Sequence, residues 1–289
     1  MNDLVWETEP TPRPSIMVVA FEGWFDAASA ATGAIDHLVE TTGATRLATI
    51  SCERFVDVHQ VRPHVANDFD GTRTITWPET VVHTTSTEPS EDAAPPDLVL
   101  VSGTEPHYLW REFAALLLDV ARRTANTMIV TLGATAAQTP HTRMPVVHAS
   151  STNADLATRF GLAAPRYQGI TGIVGVFHAA CDAQGVPAIS MQVGVPHYAT
   201  GSSNPKASLA LLRNLEHLTG VATGSAALHE RAAEWEVMVD EAISESPEAR
   251  TYVPQLEARY DHDVAAAIPS SDDLAAEFEQ YLRDLDPDA

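Results

Sequence analysis

The chain holds one lysine, Lys206, in the stretch VPHYATGSSNPK (residues 195–206), and every other Lys/Arg position is an arginine. Asn204 and Pro205 read as the N-cap and first position of a helix, which puts the ammonium in the first helical turn. A cation there opposes the macrodipole at about 0.3 to 1 kcal/mol. Something anionic must offset it: a carboxylate of this chain, one from a neighbouring subunit, or a bound anion. A structural ion pair is the simpler reading, and a ligand or interface role is the sharper one. His141 and Arg143 stand in TPHTRMP (residues 139–145), where a titratable ring and a guanidinium between two prolines are not easily explained by packing. Lys206 and Arg143 could fix a small anion while His141 or Asp26 moves protons, which is the equipment of a phosphorylase- or hydrolase-like reaction.

The remaining candidates have plainer readings beside the chemical ones. Asp26 in GWFDA (residues 23–27) is expected to N-cap the helix AASAATGAIDHLV, and Trp24 is either a cover for the core or a platform for a ligand. Glu105, ahead of Pro106 in GTEPH (residues 103–107), also reads as a helix cap. His197 follows a strand end directly and could share the same rim, although a satisfied core histidine is the simpler assignment. GITGIVG (residues 169–175) sets three glycines at a helix entrance, where free N–H groups could cradle an anion or allow close packing.

The elements that must position these residues are legible as alternating runs. IMVVAFE, ATRLATISC, DLVLVSG, TMIVTLG, PVVHAS and PAISMQVGV are apolar on both faces and read as strands of a covered sheet. Between them, Leu109, Phe113, Leu116, Leu117 and Val120 form a one-sided helical stripe, and Ile173, Phe177, Ala180 and Cys181 form another. Gly43, Gly185 and Gly220 each sit where a helix should stop. The expected fold is a three-layer α/β/α sandwich with a largely parallel sheet, in which loops leaving the C-terminal ends of strands share one edge. FDGTRTITWPETVVHTT, with its Asp70-Gly71 turn, predicts an antiparallel edge hairpin, and TEPSEDAAPP a surface loop. Beyond Gly220 the composition shifts to acids and helix formers. Residues 1–222 are therefore assigned to the α/β/α domain and 223–289 to a C-terminal helical appendage, with stripes at Trp235, Met238, Val239, Ala242 and at Leu274, Phe278, Tyr281, Leu282, Leu285.

Composition removes several functions. A net charge of −22 disfavours nucleic acid and anionic membrane as partners. No window approaches a membrane span and the first residues are unlike a signal peptide, so a cytoplasmic location is expected. Cys52 and Cys181 fit reduced, buried thiols, and the scattered histidines give no support to a metal site or to a cofactor. Lys206 is followed by Ala207 without a P-loop glycine pattern, and SxxK at 203–206 lacks the second lysine of the penicillin-binding set. No GxSxG, HRD or DFG occurs.

GWFDA, DVHQVRP, GTEPHYLW, TLGATAAQTPHTRMPV, YQGITGIVGVFHAA, GVPAISMQVGVPHYATGSSNPKASLALLRNLE and YVPQLEARYD together resemble the proteasome assembly chaperone family, second type, in its actinobacterial branch. The resemblance spans nearly the whole chain. It implies a phosphorylase/hydrolase-like α/β/α body with a protruding helical part, and homotrimers as in prokaryotic relatives, without implying a reaction; a non-catalytic interaction or assembly role is the first expectation, beside the enzymatic one. A proteasome core is implied as partner by analogy alone, since the chain ends Pro287, Asp288, Ala289 and lacks the penultimate tyrosine with which some relatives dock.

Overall fold

A computed structural model describes residues 3–69, 71–85 and 96–267. Asp70, most of the TEPSEDAAPP stretch, the stripe from Leu274 to Leu285 and the last three residues lie outside the described residues. Strands β1 (Leu4–Trp6) and β2 (Ser15–Glu22) lead into α1 (Ala30–Thr42), and β3 (Thr45–Ser51), β4 (His64–Asn67), β5 (Arg73–Thr76) and β6 (Glu79–Thr84) follow. Next come β7 (Asp97–Thr104), α2 (Trp110–Arg123), β8 (Asn126–Ala137), β9 (Val147–Ser150), α3 (Ala154–Phe160) and α4 (Ile173–Gln184). β10 (Ala188–Pro196), α5 (Pro205–Thr219), α6 (Leu228–Glu245) and α7 (Pro247–Ala267) close the series.

The large sheet runs β1-β3-β6-β7-β2-β8-β10-β9. Its central strands β7, β2, β8 and β10 are parallel, and antiparallel strands flank them on both sides. Pleating divides β2 between two cores. Ile16, Val18 and Ala20 pack with Ile35, Leu38, Leu209 and Leu212 of α1 and α5, whereas Met17, Val19 and Phe21 pack with Phe113, Leu117 and Phe177 of α2 and α4. This is the three-layer sandwich that apolar runs on both faces require. Gly43, Gly185 and Gly220 end α1, α4 and α5 with φ of +64°, +67° and +72°.

The antiparallel part is larger than a hairpin. β6 enters the main sheet between β3 and β7, while β4 and β5 form a separate two-stranded ribbon whose eight residues are all exposed. Leu109, expected on the buried stripe of α2, instead precedes that helix at φ +56° and is exposed. α3 was not anticipated, although the Asn153 side chain caps it and Gly161 ends it at φ +63°. On α6 the buried stripe is Leu228, Ala232, Trp235 and Val239, with Met238 exposed, so the expected stripe is correct at only two positions. Leu228 and Ala232 share the core of α1 and α5, so α6 packs on the α/β body. No described helix is long and apolar enough to cross a membrane.

Candidate functional site

Because β2, β7, β8 and β10 run parallel, the loops that follow them leave one edge of the sheet, and the candidate residues divide there into separate groups.

The first group surrounds Lys206. Asn204 accepts a hydrogen bond from the backbone N–H of Ala207 at 2.9 Å and Pro205 is the first helical residue, so the ammonium stands in the opening turn of α5. It is buried, and it donates to Glu236 Oε2 at 2.5 Å and to the carbonyl of His141 at 2.6 Å. Glu236 belongs to α6, so the offsetting anion is a carboxylate of the same chain. His141 is 1% exposed and lies between two partners: Nδ1 is 2.9 Å from the Tyr198 hydroxyl and Nε2 is 2.9 Å from Asp240 Oδ1. The same hydroxyl accepts the His141 backbone N–H at 2.9 Å. One proton per bond satisfies all three contacts if the hydroxyl donates to Nδ1 and Nε2–H donates to Asp240. Burial pushes the Tyr198 phenol above its ordinary range.

Arg143 grips α7. Its Nε and Nη2 each lie 2.9 Å from an oxygen of Asp261, the bidentate geometry that suits a guanidinium, and these bonds hold the Asp261 carboxyl below its usual range. Thr142 donates to Glu257, and the Tyr260 hydroxyl both donates to the Met144 carbonyl and accepts from the Val146 N–H, each at 3.0 Å. His197, expected inside the core, is exposed; its ring meets Tyr198 and Tyr252 edge-on at 5.3 and 5.7 Å. Lys206, His141, Arg143 and His197 are thus brought together, with Lys206 and His141 buried and bonded to α6 and Arg143 bonded to α7. The space between Pro140, His141, Lys206 and Trp235 has ≈ 0 Å³ open to water.

The second group is Glu105 with Trp24. Glu105 does not cap its own helix. Its Oε1 accepts from the Ile173 N–H at 3.4 Å and its Oε2 from the Trp24 N–H at 3.3 Å, so the anion that GITGIVG could cradle is the chain's own carboxylate at the N-terminus of α4. A Cβ on Gly23 or Gly172 would come within 2.8 Å of that carboxylate, and Gly23 has φ +141°. Trp24 is 91% exposed and covers no core. Asp26 forms a group of its own with α1. Its carboxylate accepts from the N–H groups of Ala31 and Thr32 at 2.8 and 3.2 Å and from the Thr32 hydroxyl at 2.5 Å, reaching past Ala28 and Ser29, which both hold positive φ.

A cavity of ≈ 370 Å³ opens at the opposite end of the sheet between Thr8, Glu9, Arg13, Thr45, Asp97 and Thr124. Among the described residues, no three His, Cys, Asp or Glu side chains are placed to share a metal ion. The residues missed by sequence reasoning are the partners Glu236, Asp240, Glu257, Tyr260 and Asp261. A signal existed for α7: Val253, Leu256 and Tyr260 recur at i, i+3, i+7, with Glu257 and Asp261 on the adjoining stripe.

Comparison with known proteins agrees with this architecture. The sequence pattern of the PAC2 family matches residues 20–243. A PAC2 family protein from Streptomyces avermitilis is 40% identical, with a TM-score of 0.76 over 84% of this chain and 99% of that one. A proteasome-assembly chaperone homologue of Mycobacterium tuberculosis is 38% identical, with a TM-score of 0.72 over 82% and 99%. An archaeal proteasome activator of Pyrococcus furiosus, at 20% identity and a TM-score of 0.64 over 83% and 97%, shares the fold. No curated protein matches. With most of its length inside the family pattern and a relative of 40% identity that shares the sandwich, the chain belongs to the PAC2 family.

Proposed function

We propose that this chain is a non-catalytic, homotrimeric interaction or assembly factor that acts on a protein partner in the cytoplasm, with an α/β/α domain over residues 1–222 and a helical appendage over 223–289. The family and its proteasome-assembly-chaperone homologue support a chaperone-like or assembly role. The observation that carries the non-catalytic reading is the filled rim. At the edge where α/β sheets bind ligands, the two cations that would hold an anionic substrate, Lys206 and Arg143, are each engaged by a carboxylate of α6 or α7, and the space beside them has ≈ 0 Å³ open to water. Enzymatic use of the same groups needs a concave space within reach of His141, and the space between His141, Lys206 and Trp235 has ≈ 0 Å³ open to water.

Two measurements test this. A thermal-shift screen of phosphate, nucleosides and carboxylates should give no hit, whereas a ligand at 100 times its dissociation constant would add about 2.7 kcal/mol and a visible rise in melting temperature. Immobilised full-length chain should retain a protein partner, and a proteasome core particle at micromolar concentration is the first to offer; its failure to bind would remove that partner.

A further inference from the structure

Two apolar surfaces have no role in this reading. The first is the ribbon β4–β5, which leaves the sheet edge after β3 and returns into β6. Val65 lies directly opposite Ile75, and Asn67 opposite Arg73, so these share one face, while His64, Ala66, Thr74 and Thr76 share the other. Trp77 continues the apolar face and Phe69 stands in the connecting turn, 115% exposed. A two-stranded ribbon of this length is marginal in water, and contiguous large apolar side chains on one mark a contact surface. Its base is held in place: the Asp57 carboxylate accepts from the His59 N–H at 2.9 Å, from Gln60 at 3.2 Å and from the Tyr108 hydroxyl at 3.2 Å. The second surface is on the same edge, where Glu105 ties the exposed Trp24 (91%) to Ile173, the end of the loop that carries Ile170 (94% exposed) and Tyr167. Acids border it. Glu105 is one, bonded to the Trp24 N–H, and Glu22, two residues before Trp24, is exposed. Arg62 and Arg73 on the ribbon have no ion pair among the described residues.

Building on the oligomeric reading, we propose that the ribbon of one copy lays its apolar face on the Trp24, Tyr167 and Ile170 patch of the next copy, with Arg73 toward the acids beside Trp24. Two arguments favour a second copy of this chain as occupant. A cyclic trimer needs two unlike surfaces on every subunit, since a head-to-tail contact joins different patches, and this chain offers an apolar, cation-bearing arm and an apolar, acid-bordered patch at one end of the molecule. Charge agrees. Copies of net charge −22 repel over most of their surface, whereas residues 62–77 carry Arg62 and Arg73 against Asp68 and Asp70 and are neutral apart from His64, so approach through the ribbon is least opposed. Phe69, Trp77, Val65 and Ile75 together offer on the order of 600 Å², near the ~800 Å² per partner of a standard interface.

The test uses the full chain and two double variants, Phe69→Ser/Trp77→Ser in the ribbon and Trp24→Ser/Ile170→Ser in the patch. All four side chains are exposed, and circular dichroism checks that the fold is kept. In sedimentation at micromolar concentration the natural sequence should run as a trimer and each variant as a monomer. An equimolar mixture has one intact contact per unlike pair, so chemical cross-linking should trap dimers with one copy of each variant and no trimer. A monomeric natural sequence would overturn the oligomeric reading and this inference together. A trimeric natural sequence with either variant still trimeric, or a mixture without unlike dimers, would leave the oligomeric reading standing and overturn the ribbon contact.

Discussion

Lys206 shows how an isolated charge becomes structural. Its position in the first turn of α5 is unfavourable by macrodipole and by burial, and the compensation is short-range: a carboxylate oxygen at 2.5 Å and a carbonyl at 2.6 Å. Glu236 keeps a third of its side chain in water, so the pair is worth less than a fully buried one. Lys206→Met, which leaves the His141 carbonyl unsatisfied, should lose about 2 kcal/mol. That corresponds to roughly 4 °C in melting temperature for a chain of this size. Glu236→Gln should lose more, because it leaves an ammonium buried beside a neutral amide, and a double-mutant cycle should return a coupling of at least about 1 kcal/mol. Melting of the methionine variant at the natural temperature would show that Lys206 does not hold α6. The cysteines give a second residue-scale prediction. Burial, aided by Asp182, pushes the Cys181 thiol up to about 12, and burial also raises Cys52. Neither should react with an aromatic disulfide reagent at pH 8 in the folded chain, and both should react once denaturant is added. Rapid labelling of Cys181 in the native state would contradict its place between α4 and the sheet.

At the scale of elements, one loop serves as the seat for two helices. Residues 138–146 present a ring to α6 and a guanidinium to α7, and Tyr260 clamps the loop backbone at Met144 and Val146. The Asp261 carboxyl is depressed by its bonds to Arg143, so its contribution to docking is complete above the ordinary aspartate range and is lost as pH falls through the lower folded value. Protection of α7 amides, taken relative to the intrinsic exchange rate at each pH, should therefore change little from pH 7 to 5 and fall below about pH 4. Arg143→Gln should give faster exchange already at neutral pH; protection equal to that of the natural chain would remove Arg143 from the account. These contacts also explain what could be read from the sequence. The sandwich was legible because apolar periodicity, glycine stops and the Asn204-Pro205 cap are local signals. The occupants of the rim were not, since Glu236, Asp240, Glu257 and Asp261 lie 30, 99, 115 and 118 positions from the residues they meet and are chemically indistinguishable from the other carboxylates among 39. Glu105 was misplaced for a related reason: Leu109 takes a left-handed conformation and delays α2, which frees the carboxylate to reach α4.

For the whole molecule, the surplus of acids sets the conditions under which copies can meet. Each copy carries −22, and in dilute salt of ~0.01 M that charge acts across a Debye length of ~30 Å, falling to ~8 Å at physiological ionic strength. The contact proposed for the ribbon is mainly apolar, and burial of apolar surface is little affected by this change in salt. An exposed pair such as Arg73 with an acid beside Trp24 contributes at most about 1 kcal/mol. Long-range repulsion between copies is therefore the larger of the two terms that salt screens. Association should strengthen as sodium chloride is raised from about 0.01 M to 0.15 M, seen in sedimentation as a several-fold fall in the concentration at which half the chains are trimeric. A rise in that concentration over the same range would mean that opposite charges across the interface outweigh the net repulsion. The principal contact between copies would then lie at an ion-paired surface, away from the ribbon.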